Sequence, residues 1–96
     1  MQPLQSASLD QLFRAFASLS TKEECRAFLE DLCTIKELLD MAQRLESAKL
    51  LSKGENYQTI AKEVGTSTAT ISRVSKCLNY GDGGYKMVLG RLEEKS

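Results

Sequence analysis

Apolar residues recur along this chain at the three- and four-residue spacing of amphipathic helices, and no stretch alternates as a β-strand would. Three such stretches follow a capping-box pattern, in which a hydroxyl residue precedes Glu or Gln by three positions. The patterns are Ser8-x-x-Gln11, Ser20-x-x-Glu23 and Thr34-x-x-Glu37. We therefore expect helices to begin there, with apolar positions within residues 9–16, 25–32 and 35–51.

Glycines divide the second half of the chain. Gly54 can end the third helix, and Gly65 can end a short helix capped by Asn56. Ser67 can cap the next helix, and a glycine-rich turn over residues 80–84 separates it from a last helix. The three later helices are predicted over residues 57–64, residues 68–78 and from about Tyr85. The pattern predicts an all-α fold of about six helices in a single domain, residues 1–96.

Composition is ordinary for a folded domain, with 42% hydrophobic and 27% charged residues in a chain of 96. No apolar run approaches the roughly 20 residues needed to span a bilayer, so we expect no membrane partner. The stretch beginning Met1-Gln2-Pro3 has neither the basic nor the apolar region of a secretory signal. A cytoplasmic location is therefore expected.

The sequence has few of the residues that usually form metal sites or catalytic sites. The chain has no histidine, and Cys25, Cys33 and Cys77 form no CxxC pair, so we expect buried cysteines and no metal or cofactor. Histidine is the usual general base near neutral pH. Neighbouring carboxylates such as Glu23 and Glu24 are typical of a solvated helix face. We predict that the protein is not an enzyme.

Charge is balanced overall but unevenly distributed. Residues 1–40 contain four basic and seven acidic residues, a net charge of −3, whereas residues 41–80 contain six basic and three acidic ones, a net charge of +3. No acidic residue occurs between Thr66 and Tyr80. Positive charge on one segment is the electrostatic pattern of a nucleic-acid surface.

That basic segment also satisfies the requirements of a helix-turn-helix over residues 57–80. Ala61 allows close approach of two helices, and Gly65, four positions later, allows a turn of positive φ. Ile71 and Val74 are expected to pack against Ile60 and Val64. These features together predict two short helices that cross around a tight turn.

The other face of the second helix is the predicted interface with double-stranded DNA. Short side chains near its start suit contact with base edges, and the basic side chains further along suit phosphates. The predicted interface residues are Ser67, Thr68, Ala69, Thr70, Ser72, Arg73 and Lys76. The alternative is a helical module that uses the same motif to bind a protein partner.

Residues 34–80 resemble the Trp repressor superfamily. The resemblance is carried by Ala42-Gln43-Arg44-Leu45, by Leu50-Leu51-Ser52-Lys53-Gly54 and above all by the ten residues from Val64 to Arg73. Asp31-Leu32-Cys33-Thr34 and the stretch from Lys76 to Gly81 are similar to the YerC/YecD branch. The resemblance implies an intertwined homodimer that acts as a transcriptional regulator, a repressor, and whose two helix-turn-helix units reach successive major grooves.

The same resemblance implies an effector pocket at Thr34, Arg44 and Arg73. Val74 stands where the Trp repressor has a glycine, and Cys77 stands where it has a serine, so we expect no tryptophan corepressor. One alternative is another small anionic ligand between the two arginines. The other is DNA binding without an effector, with Arg73 on a phosphate and Arg44 paired with a neighbouring carboxylate.

Overall fold

The computed structural model describes residues 6–94, which form six α-helices without a β-strand. The predicted all-α fold is confirmed. The helices are α1 (Ser6–Ala17), α2 (Lys22–Leu32), α3 (Ile35–Ser52), α4 (Tyr57–Val64), α5 (Thr68–Tyr80) and α6 (Gly84–Glu94). The stretch considered for a secretory signal lies almost entirely outside the described residues. Among those residues, no helix combines the length and apolar character that a membrane crossing requires.

The starts of α3 and α4 follow the predicted local chemistry. At α3 the Glu37 N–H donates to Thr34 Oγ1 at 3.1 Å, and the Thr34 N–H donates to Glu37 Oε1 at 2.8 Å, a complete capping box. At α4 the Thr59 N–H donates to the Asn56 side chain at 2.8 Å. These polar side chains satisfy N–H groups that have no partner within the helix.

Two other predicted starts are wrong. The cap of α2 is Thr21, whose hydroxyl accepts from the Glu24 N–H at 3.1 Å, and the Glu24 carboxylate accepts from the Ser20 N–H at 2.7 Å. The cap therefore lies one residue later than Ser20, since Thr21 also precedes an acidic residue by three positions. Ser8 lies inside α1, because Ser6 already has helical backbone.

The structure separates into two compact units, the first ending at Leu38 and the second beginning at Leu39. In the first unit, the rings of Phe16 and Phe28 pack edge to face with their centroids 5.6 Å apart. Neither α1 nor α2 has a buried residue. The single domain over residues 1–96 stays a prediction.

The core of the second unit surrounds the buried face of α5. Ile71, Val74 and Leu78 of this helix are buried, together with Ile60 of α4, and α5 packs against both α4 and α6. Helix α3 contributes Ser47 and Ala48. The predicted packing residues Ile60, Ile71 and Val74 are thus core residues, whereas Val64 is half-buried.

Gly65 forms the turn between α4 and α5. Its backbone is left-handed, with φ of 78° and ψ of 36°, and its N–H donates to the Ala61 carbonyl at 2.9 Å. Helix α3 supports the same corner, because Gln43 Nε2 donates to the Val64 carbonyl in a long hydrogen bond of 3.5 Å. The turn fixes where α5 starts.

Gly65→Ala is expected to lower the free energy of unfolding by about 1 kcal/mol, because an L side chain is disfavoured at positive φ. The space around the glycine is open, so the loss arises from the backbone and not from a clash. Gly65→Asn is the matched control and should lose less, since Asn tolerates this conformation better. Urea denaturation measures both. Equal losses for the two variants would contradict the backbone explanation.

Candidate nucleic-acid interface

Helix α5 has one buried face and one exposed face. The buried residues Ile71, Val74 and Leu78 recur at spacings of three and four, so they lie on one side of the helix. Of the seven residues predicted to form an interface, Thr70 is half-buried and the other six are exposed: Ser67, Thr68, Ala69, Ser72, Arg73 and Lys76. The packing against α4 and α6 therefore leaves the predicted surface open.

The start of α5 engages two of the predicted side chains within the protein. Ser67 Oγ accepts from the Thr70 N–H at 3.1 Å and donates to Thr70 Oγ1 at 3.1 Å. The hydroxyls of Thr68 and Ser72 have no such partner among residues 6–94. The predicted set thus divides into a cap, formed by Ser67 and Thr70, and side chains that have no hydrogen-bond partner among the described residues.

The basic residues of α5 are not neutralised within the described part of the chain. Arg73 and Lys76 take part in no ion pair among residues 6–94. Arg14 and Arg26 of the first unit, in contrast, contact Asp10 and Glu30 at 2.8 and 3.0 Å. The cations on the exposed face of α5 are therefore available to an anionic partner.

Sequence reasoning did not identify Gln43 as a positioning residue. Its hydrogen bond to the Val64 carbonyl joins α3 to the end of α4, just before the turn that leads into α5. A glutamine in an amphipathic helix has the same place in the hydropathy pattern whether or not its amide finds such a partner. The one signal that includes Gln43 is the stretch Ala42-Gln43-Arg44-Leu45, which carries the resemblance but assigns no role to the amide.

The residues predicted for an effector pocket are placed as follows. Thr34 belongs to the first unit and caps α3, while Arg44 and Arg73 are exposed in the second unit. The expected pairing of Arg44 with a carboxylate is wrong, since no ion pair of Arg44 is present among residues 6–94. An exposed pair is worth at most about 1 kcal/mol and costs side-chain entropy, so the guanidinium remains solvated.

Two further positions bear on that pocket. Val74 is 3% exposed and belongs to the core of the second unit. The prediction of buried cysteines is wrong, since Cys77 is exposed and Cys25 and Cys33 are half-buried. Cys77 precedes the buried Leu78 by one position, which turns it toward the exposed side of α5.

Comparison with known proteins gives consistent matches along nearly the whole chain. The sequence model of the family described as Trp repressor protein matches residues 7–93. The uncharacterized protein YerC of Bacillus subtilis (strain 168) is 53% identical over 91 residues, which cover 95% of this chain and 88% of YerC.

Two solved structures share the fold. A TrpR-like protein from Eubacterium eligens superposes with a TM-score of 0.88 and 48% identity, over 94% of this chain and 93% of that chain. A candidate Trp repressor from Staphylococcus aureus has a TM-score of 0.87 and 46% identity, over 93% of this chain and 89% of that chain. The resemblance inferred from the sequence is confirmed.

Ser67→Ala is expected to lower the free energy of unfolding by about 1 kcal/mol, because it removes the hydroxyl that caps α5. Ser72→Ala is the matched control. It removes an exposed hydroxyl that has no partner among residues 6–94, and alanine has the higher helix propensity, so stability should be unchanged or slightly raised. Chemical denaturation compares the two variants, and a similar loss in both would argue against the cap.

Proposed function

This chain belongs to the Trp repressor protein family, and on that premise we propose that it binds double-stranded DNA sequence-specifically as a transcriptional regulator, with repression the expected direction. The observation that carries the proposal is the exposed face of α5. That face combines unengaged hydroxyls and a methyl group with two cations that have no ion-pair partner among residues 6–94. Membership of a family of regulatory DNA-binding proteins favours binding over catalysis.

The dimensions of α5 suit the major groove. An α-helix with its side chains is about 10–12 Å wide, close to the groove width of about 12 Å. The short side chains of Thr68, Ala69 and Ser72 allow the helix to approach the base edges closely. Arg73 and Lys76 follow Thr68 by about 7.5 and 12 Å along the helix axis, at the rise of about 1.5 Å per residue. This spacing suits phosphates at the groove edge.

We further propose that the protein acts as a homodimer, because much apolar surface is unburied in the single chain. Phe13 is 62% exposed, Ile35 is 78% exposed and Leu39 is 59% exposed. Helix α6 has no buried residue either. Large apolar side chains left exposed in this number mark an interaction surface.

A groove in the second unit offers a complementary surface for the second copy. It has a volume of about 800 Å³, and its lining includes four leucines and more basic than acidic residues: Leu51, Leu78, Leu89 and Leu92, with Lys49, Lys53, Lys86 and Glu93. The helices within the first 40 residues each have one apolar face, and these 40 residues have a net charge of −3. Opposite charges and apolar surface on both sides favour association of two copies.

A small anionic effector other than tryptophan is the second candidate for regulation. The observation that favours it is that Arg44 and Arg73 lack an ion-pair partner in the described part of the chain. Val74 is buried, and by the resemblance it stands where the Trp repressor has a glycine that leaves room for the indole ring, so its branched side chain opposes tryptophan. Thr34, Arg44 and Arg73 stay the predicted pocket residues, and a cytoplasmic location stays the predicted one.

The first experiment is selection of duplexes from a random pool, followed by anisotropy titration of the enriched sequence at two salt concentrations. A near-palindromic site whose affinity falls steeply with salt is the expected result, since phosphate contacts release counterions. Absence of enrichment, with weak binding that is insensitive to salt, would contradict the proposal. It would instead favour a protein partner for the helix-turn-helix.

Arg73→Ala should weaken binding to every duplex and flatten the salt dependence. Each lost phosphate contact reduces the slope of log affinity against log salt by about 0.9. Arg14→Ala is the control, because Arg14 is already paired with Asp10 and lies in the first unit. An unchanged slope for Arg73→Ala would remove this residue from the phosphate contacts.

Phe13→Glu should shift the protein from dimer to monomer, because it places a charge on apolar surface that a second copy is proposed to cover. Gln11→Glu, at an exposed position of the same helix, adds the same charge without removing apolar surface and should leave the dimer intact. Sedimentation equilibrium measures the association. A dimer of unchanged strength in the Phe13 variant would contradict this assignment.

A further inference from the structure

The part of α5 proposed to approach the bases contains no long polar side chain. The described residues 67–72 are Ser, Thr, Ala, Thr, Ile and Ser, and the first long polar side chain is Arg73. Guanine is usually read by Arg or Lys, and adenine by Asn or Gln, through paired hydrogen bonds. This helix start therefore lacks the side chains that read purines directly.

The hydrogen bonds of the cap further reduce the number of side chains that are free to contact bases. Ser67 and Thr70 bond to each other, and Ile71 is fully buried. Thr70 is also half-buried, so the exposed side chains outside the cap in residues 67–72 are those of Thr68, Ala69 and Ser72. Position 72 follows positions 69 and 68 by three and four residues, so the three side chains are neighbours on the helix surface, and Ala69 lies opposite the buried face.

Methyl groups dominate this remaining surface. Ala69 offers its β-methyl group and Thr68 its γ-methyl group, and both residues are exposed. Ser72 adds a hydroxyl, which bonds acceptors or donors on any base and so discriminates little. In the major groove thymine is the base that carries a methyl group, at C5, and such a group is recognised by apolar contact with Ala or Thr.

We infer that Thr68 and Ala69 make this protein a reader of thymine C5-methyl groups in each half-site. The inference rests on the DNA-binding role proposed above and specifies what that surface recognises. Burial of one methyl-sized group is worth about a fourfold change in affinity. Recognition by methyl contact thus gives modest discrimination at each thymine, and the selected half-sites should contain thymine at the contacted positions.

The test uses the full-length protein and the duplex obtained by selection. Each thymine is replaced singly by deoxyuridine, which keeps the base pair with adenine and removes only the C5-methyl group. One or two replacements per half-site should weaken binding about fourfold each. Replacements outside the half-sites are the control and should have no effect.

A double-mutant cycle assigns the effect to particular side chains. Thr68→Ser removes the γ-methyl group and keeps the hydroxyl, and Ala69→Gly removes the β-methyl group. If Thr68 or Ala69 contacts a given thymine, the variant of that residue should bind the thymine and deoxyuridine duplexes with affinities that differ by less than about 1.5-fold. The reason is that the variant has already lost the methyl contact. Lys76→Ala is the matched control, since it should weaken binding to the thymine and uracil duplexes equally.

The outcomes separate this inference from the DNA-binding role. Tight, salt-dependent binding that no deoxyuridine replacement alters by twofold would overturn the inference and leave the proposed function in place. Selected half-sites without thymine would do the same. Failure to enrich any duplex would overturn both. A deoxyuridine effect that persists unchanged in both variants would show that other residues contact the methyl groups.

Discussion

Burial of one face of α5 behind the turn at Gly65 is the constraint on which the proposed interface depends. The left-handed backbone at this glycine ends α4 and starts α5 within three residues. Ile71 and Val74 then enter the core beside Ile60, so the opposite side of α5 can only face solvent. Because the helix backbone is fixed by its core, the exposed residues have fixed relative positions along it before any partner binds, which lowers the entropic cost of binding.

The two units differ in how far each is stabilised by its own packing. The second unit has a core of buried side chains, whereas α1 and α2 of the first unit have none. Exposed ion pairs such as Arg14 with Asp10 contribute little stability. If a second copy covers the apolar residues, folding of the first unit and association are linked, and the measured stability depends on protein concentration.

Local signals allowed much of this architecture to be predicted from the sequence. Thr34, Asn56 and Ser67 each cap the helix that the pattern assigned to them, since a cap depends on only four consecutive residues. At α2 the pattern was ambiguous, because Ser20 and Thr21 each precede an acidic residue by three positions. Helical periodicity also predicted the exposed face of α5. Contacts between distant positions, such as that of Gln43 with Val64, leave no periodic trace and required the structure.

The start of α5 is capped by one pair of side chains and exposes others, and this separation has an evolutionary consequence. The residues that hold the helix start, Ser67 and Thr70, are distinct from the proposed reading residues, Thr68, Ala69 and Ser72. On the proposed function, mutation of the second group leaves the cap of α5 intact and can change the preferred DNA site in small steps. By such mutations, two relatives with nearly the same fold can come to bind DNA sites at different genes. A DNA site known for one relative should accordingly be assigned to another only where the residues at these three positions are identical, whatever the overall sequence identity.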